Sequence, residues 1–226
     1  MPNRTEPKSK DKQLSFRWRL AQFFEIRWWR RYLGSKEKEV YLEWKRAYWF
    51  DFLKKTGIHL PPGISILDAG CGPAGIFMVL DQNKVDALDP LLPAYARQLD
   101  QFQPEAYPWV RFYPVPLESF SSEQAYGRIF CLNAINHVSD LQLCLDKLAG
   151  MTAPGGMLIV SVDVHRFSVL KNTFRRLQWD MLHPHQHDLA EYREMLAGRG
   201  CRVERALLLK REFIFDYYVL IAKKRG

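Results

Sequence analysis

Ile66-Leu67-Asp68-Ala69-Gly70-Cys71-Gly72-Pro73-Ala74-Gly75 is the stretch from which the fold is read. The apolar run it continues, Ile64 to Leu67, has the pattern of a buried strand. It ends in an acid and a glycine-dense turn, and Ile76-Phe77-Met78-Val79-Leu80 is the expected helix beyond. Glycines in the turn let the backbone bend sharply and lie against a ligand that a Cβ would hold off. The N-terminus of the following helix would offer unpaired N–H groups to an anionic ligand group. Twenty-one residues after Asp68, Asp89 closes a second apolar strand, Val85-Asp86-Ala87-Leu88. A carboxylate there suits the paired hydroxyls of a ribose. These features predict a nucleoside-cofactor site.

Gly70, Gly72 and Gly75 satisfy G-x-G-x-x-G, so the glycines alone also allow a dinucleotide. Asp68 tips the choice. A pyrophosphate gains nothing from a nearby carboxylate, whereas an amino-acid ammonium group does. Asp68-Ala69-Gly70-Cys71-Gly72 resembles the (D/E)-x-G-x-G motif of class I S-adenosylmethionine-dependent methyltransferases of the small-molecule kind. Further segments share the resemblance. Asp89-Pro90 falls at the family's ribose acid, and Val115-Pro116-Leu117-Glu118 at its adenine turn. Ile129 to His137 is similar to the fourth strand with the loop beside the methyl group, and Gly155 to Ser161 to the fifth strand. The resemblance implies that Asp68, Gly70, Cys71, Gly72, Asp89, Pro90, Leu117, Glu118 and Asn133 form the cofactor site. Many relatives place an acid after strand three to bond the adenine amino group. This chain has Pro116, leaving Leu117 to pack on the ring.

The rest of the chain supplies the matching architecture. Strands are expected near Val110 to Val115, Ile129 to Leu132 and Met157 to Val162, with helices at Pro93 to Phe102, Leu141 to Met151 and Leu189 to Gly198. Cys201 to Leu209 and Glu212 to Ala222 read as a closing antiparallel pair, which dinucleotide folds lack. The fold class is therefore α/β: a Rossmann-like, doubly wound, seven-stranded sheet, mostly parallel with an antiparallel C-terminal strand, plus an N-terminal helical cap. Residues 1–13 are expected to be a disordered basic tail, 14–57 the helical cap and 58–226 the cofactor-binding domain. Helices are expected over Leu14 to Leu33, with Leu14, Trp18, Ala21, Trp28 and Tyr32 as the apolar stripe, and from a Ser35 cap to Thr56. In the second helix the expected stripe is Tyr41, Trp44, Tyr48 and Phe52.

Residues 1–57 contain fifteen Lys and Arg against seven Asp and Glu, and so carry the whole net charge of +8. They also hold five of the seven tryptophans. The remainder is neutral, which disfavours nucleic acid as a partner because no basic stripe continues into the domain. Arg17, Arg19, Arg27, Arg30 and Arg31 alternate with Phe16, Phe23, Phe24, Trp28 and Trp29. Such a helix can roof a substrate pocket, or lie in the headgroup layer of an anionic membrane through residues 14–33. No apolar run reaches the roughly 18–20 residues of a membrane span. Four scattered cysteines suggest reduced thiols, hence a cytoplasmic protein that can sit at the inner membrane surface.

Methyl transfer from a sulfonium asks mainly for alignment and dryness, with a base where the acceptor is a hydroxyl. His137 after strand four and His165 after strand five are the candidate catalytic groups. Trp28, Tyr48, Asn136, His183 and His185 are the candidate substrate contacts. No metal is expected. Some relatives hold a divalent ion with E-x-x-E-H after strand four, where this chain has the amides Asn133 and Asn136. The expected function is S-adenosylmethionine-dependent methyl transfer to a small-molecule or lipid/quinone-like acceptor. A nicotinamide-dependent oxidoreductase and a non-catalytic cofactor-binding partner are the alternatives. Oxygen, nitrogen and carbon acceptors all remain open at this point.

Overall fold

A computed structural model of the protein describes residues 22–165, 187–211 and 215–226, with the backbone alone for His165 and Phe215. The expected tail 1–13 and the loop bearing His183 and His185 lie outside the described residues. Residues 22–33 form helix α1, and Lys38–Thr56 form α2. Then come β1 (Ser65–Ala69), β2 (Lys84–Leu88), α3 (Leu92–Gln98), β3 (Val110–Tyr113), β4 (Tyr126–Cys131), α4 (Leu141–Met151) and β5 (Thr152–His165). Helix α5 (Leu189–Ala197) precedes the long strands β6 (Cys201–Arg211) and β7 (Phe215–Lys224).

The seven strands run in the order β3-β2-β1-β4-β5-β7-β6. The first five are parallel, and β7 enters antiparallel between β5 and β6. Alternating side chains feed two cores on opposite faces. Ile66 joins the layer containing α1, α2 and α3, while Leu67 joins the layer containing α4 and α5. Both faces being covered, β1 places Ile66 and Leu67 at consecutive positions with one in each core. Strand order reverses between β1 and β4, which opens a crevice beyond their carboxyl ends.

Helix ends follow local chemistry. Asp140 caps α4 by accepting from Leu143 N. Asp188 and Glu191 form a reciprocal capping box on α5, and Gly57 in the left-handed region closes α2. Ser35 is not the cap of α2. Glu37 stands there with no side-chain hydrogen bond, because the helix begins two residues later than the serine would require. The stripes are also rotated from expectation. Ile26 and Leu33 face the core while Trp28 points outward, and α2 buries Trp49 in place of Trp44. Aromatic residues occupy several faces of both helices, so their spacing alone does not fix the phase.

The segment after β1 departs most. In place of a helix over residues 76–80, two short 3-10 turns span Gly72–Ala74 and Ile76–Val79. Pro73 sits second in the first, and extended backbone at Gly75 separates the two. The free N–H of Phe77 donates to Asp68 Oδ2 at 3.1 Å, so a carboxylate of the chain itself occupies the place expected for a ligand anion.

Candidate active site

The glycine turn is held from below. Gly70 N and Cys71 N both donate to Leu88 O, at 2.8 and 3.0 Å, tying the turn to the end of β2. Gly70 has φ +74°, and a Cβ there would stand 2.3 Å from Ala134 Cβ. Only glycine lets the turn close on the loop after β4. Gly72, at φ +58°, faces open space. Its N–H donates to Asp89 Oδ2 at 3.1 Å, and Leu91 N donates to Oδ1 at 2.8 Å. The turn thus brings Asp68 and Asp89 together from the carboxyl ends of neighbouring strands.

Both acids are almost fully buried. Burial pushes each carboxyl up to about 7, and the charge of Asp89 adds to the rise at Asp68 while that of Glu25 adds to the rise at Asp89. Buried carboxylates in this state favour a cationic or hydroxyl-rich guest that restores their charge or hydrogen bonds. Cys71 is buried and its thiol is raised well above the ordinary value by burial, so it fills space as a neutral group.

Helices α1 and α2 cover this corner. Tyr95 donates to Glu25 Oε1 at 3.0 Å, and Trp29 meets the Tyr95 ring edge-on. Trp49 Nε1 donates to Ala74 O at 3.0 Å, locking α2 onto the glycine turn. Lys45 on α2 stands over the rings of Tyr48 and Trp49, at 4.6 and 4.7 Å. Burial lowers its ammonium to about 8, and the opposite charge of Asp68 resists that fall. Sequence reasoning missed Lys45. Its signal was a lysine flanked by aromatic residues at positions 44, 48 and 49.

On the adenine side of the expected site, Leu117 is buried in the second core. Glu118 Oε1 accepts from Ser139 N at 2.6 Å, so its carboxylate fastens the loop after β4. Among the described residues Asn133 is the non-glycine residue with positive φ, +56°, a conformation asparagine tolerates better than most. Its N–H donates to Ser161 Oγ at 2.7 Å. Pro90 lies between Asp89 and the Leu91 amide that bonds it.

A cavity of about 520 Å³ opens beside Asn133, lined by Tyr48, Phe52, Asp163 and Tyr217 among others. Of the candidate substrate contacts, Tyr48 lines it and Trp28 does not: Trp28 is 55% exposed and stacks on Tyr32. Asn136 is buried behind the cavity, where its Nδ2 donates to Asp163 and its Oδ1 accepts from Tyr192. His137 is exposed on the 3-10 turn Ile135–His137 and is not among the described lining residues. His165 ends β5, opposite Phe215. A second cavity, of about 470 Å³, lies at the other end of the sheet near Ser65, Lys84 and Arg111, away from the glycine turn.

The sequence profile described as "Methyltransferase domain" matches residues 41–206. No curated protein matches the sequence significantly. Solved structures share the fold. The YcgJ protein of Bacillus subtilis has a TM-score of 0.62 at 14% identity, over 80% of this chain and 99% of that one. The 1,6-didemethyltoxoflavin-N1-methyltransferase of Burkholderia thailandensis, with bound S-adenosylhomocysteine, also has a TM-score of 0.62 at 14% identity, over 100% and 94%. Magnesium protoporphyrin IX methyltransferase of Synechocystis, with bound S-adenosylhomocysteine, has a TM-score of 0.57 at 19% identity, over 89% and 94%.

Proposed function

The chain belongs to the methyltransferase-domain family, and from that premise we propose that it transfers the methyl group of S-adenosylmethionine to a small-molecule acceptor. The observation that carries this reading is the pair of buried carboxylates, Asp68 and Asp89, converging on a turn that closes on Ala134 because position 70 is glycine. The residues fit the cofactor. Asp68 opposes an ammonium, Lys45 a carboxylate, and the two sit within each other's field as an amino-acid zwitterion requires. Asp89 suits the ribose hydroxyls, and Leu117 the adenine face.

When bound, S-adenosylmethionine supplies an activated methyl group. The chain's task is then to align and to exclude water. The glycine turn and Asn133 hold the methionine end. Helices α1 and α2 shield it, through Glu25 on Tyr95 and Trp49 on Ala74. His137 and His165 remain candidate bases for an acceptor hydroxyl, and His183 and His185 candidate contacts.

A finer reading concerns α1. We infer that its outward face, with Phe23, Phe24 and Trp28 exposed beside Arg27 and Arg31, rests on an anionic membrane surface. Among the described residues no helix is long and apolar enough to cross a membrane, so such contact would be peripheral. Sedimentation with phosphatidylglycerol vesicles but not with phosphatidylcholine vesicles supports this; equal partition to both refutes it.

Methyl-labelled S-adenosylmethionine incubated with a cell extract tests the main reading. Label should enter the low-molecular-weight fraction with wild-type protein and not with Asp89→Ala. Label confined to protein or RNA would refute a small-molecule acceptor.

A further inference from the structure

We propose that the 520 Å³ cavity binds the acceptor through an amine, with Asp163 as the carboxylate that holds the nitrogen. This inference rests on the methyltransferase reading and goes on to name the acceptor's chemistry.

Position comes first. Asn133 follows β4, Asp163 lies near the end of β5, and both line the cavity. Ala134, next to Asn133, presses against Gly70. The cavity therefore adjoins the glycine turn, on the carboxyl side of the sheet where ligands of such folds bind.

Its chemistry comes next. Tyr48, Phe52 and Tyr217 supply ring walls. Asp51 and Lys55 also line it, but they neutralise each other at 2.6 Å. Lys210 is exposed. Asp163 is the remaining acid, and its hydrogen-bond partner among the described residues is the neutral Asn136 amide at 3.3 Å. Asn136 is itself held by the Tyr192 hydroxyl at 3.0 Å, so the carboxylate is fixed from behind by neutral groups. Tyr217 pairs across the strands with Asp163. A fixed anion between aromatic rings attracts an ammonium or an N–H donor by charge-assisted hydrogen bonding and by cation–π contact. It repels a carboxylate.

Ligand-observed NMR on the full chain saturated with S-adenosylhomocysteine tests this, with benzylamine, benzyl alcohol and benzoate as probes. Benzylamine should bind best and benzoate least. Asp163→Asn, nearly the same shape without the charge, should weaken benzylamine about tenfold, the scale of one charged hydrogen bond. It should leave S-adenosylhomocysteine affinity unchanged. Benzoate binding as well as benzylamine would overturn the proposal on wild-type protein alone, as would undiminished benzylamine binding by the variant. Failure of the wild type to bind S-adenosylhomocysteine would instead strike the cofactor reading beneath it.

Discussion

Replacing Gly70 by alanine is predicted to be far more damaging than the same change two residues on. Both glycines have positive φ, +74° and +58°, so an alanine pays the left-handed penalty of roughly 1–2 kcal/mol at either site. At Gly72 the new methyl meets open space. At Gly70 it would stand 2.3 Å from Ala134 Cβ, far inside contact distance, and the loop after β4 must shift. Overpacking of this kind costs about 1–3 kcal/mol. Gly70→Ala should therefore lose about 2–5 kcal/mol and Gly72→Ala about 1–2 kcal/mol. The unfolded-state gain from removing a glycine is the same in both and cancels in the difference. Urea unfolding with a slope of about 2 kcal/mol per molar should separate the two midpoints by about 1 M. Coincident midpoints would mean that the turn does not close on Ala134 as described.

Three other outcomes are expected. Asp89→Ala should weaken S-adenosylhomocysteine binding by about 1–3 kcal/mol, and unchanged affinity in calorimetry would remove Asp89 from the site. Asp68 and Asp89 titrate near 7 when folded, against 3.8 ordinarily, so the folded ligand-free chain takes up protons in between. Its stability should fall as pH rises from about 4 to about 7 and level off above, with a shallower fall in Asp68→Asn; an identical slope in that variant would contradict the assignment. Tyr192→Phe strips the Asn136 Oδ1 acceptor of its donor in a buried setting and should cost about 1–3 kcal/mol, read as a lower thermal midpoint. A wild-type midpoint would show that the Tyr192–Asn136 bond is not made.

What was legible in the chain was local or periodic. The strands announce themselves because both faces of the sheet are covered, so Ile66-Leu67 and Ala87-Leu88 are simply apolar. Asp140 and Asp188 mark helix starts by a bond three residues away. The helix expected after Gly75 fails because Asp68, eight residues before Ile76, takes up the Phe77 amide and stabilises a 3-10 turn instead. Lys45, Glu118 and Asn136 were hard to assign for a related reason. Their roles are set by partners distant in sequence: Asp68, Ser139 and the pair Asp163 and Tyr192. Trp28 points outward against its spacing because residues 22–33 present aromatic rings on both faces, and contact with α2 and α3 decides which face turns inward.

The most direct test of the account is a calorimetric titration of the protein with S-adenosylhomocysteine, run in parallel with NADH and NADPH. The account predicts micromolar binding of S-adenosylhomocysteine and no binding of either nicotinamide. Binding of a nicotinamide alone would contradict it, and would mean that Asp68 does not face an ammonium group.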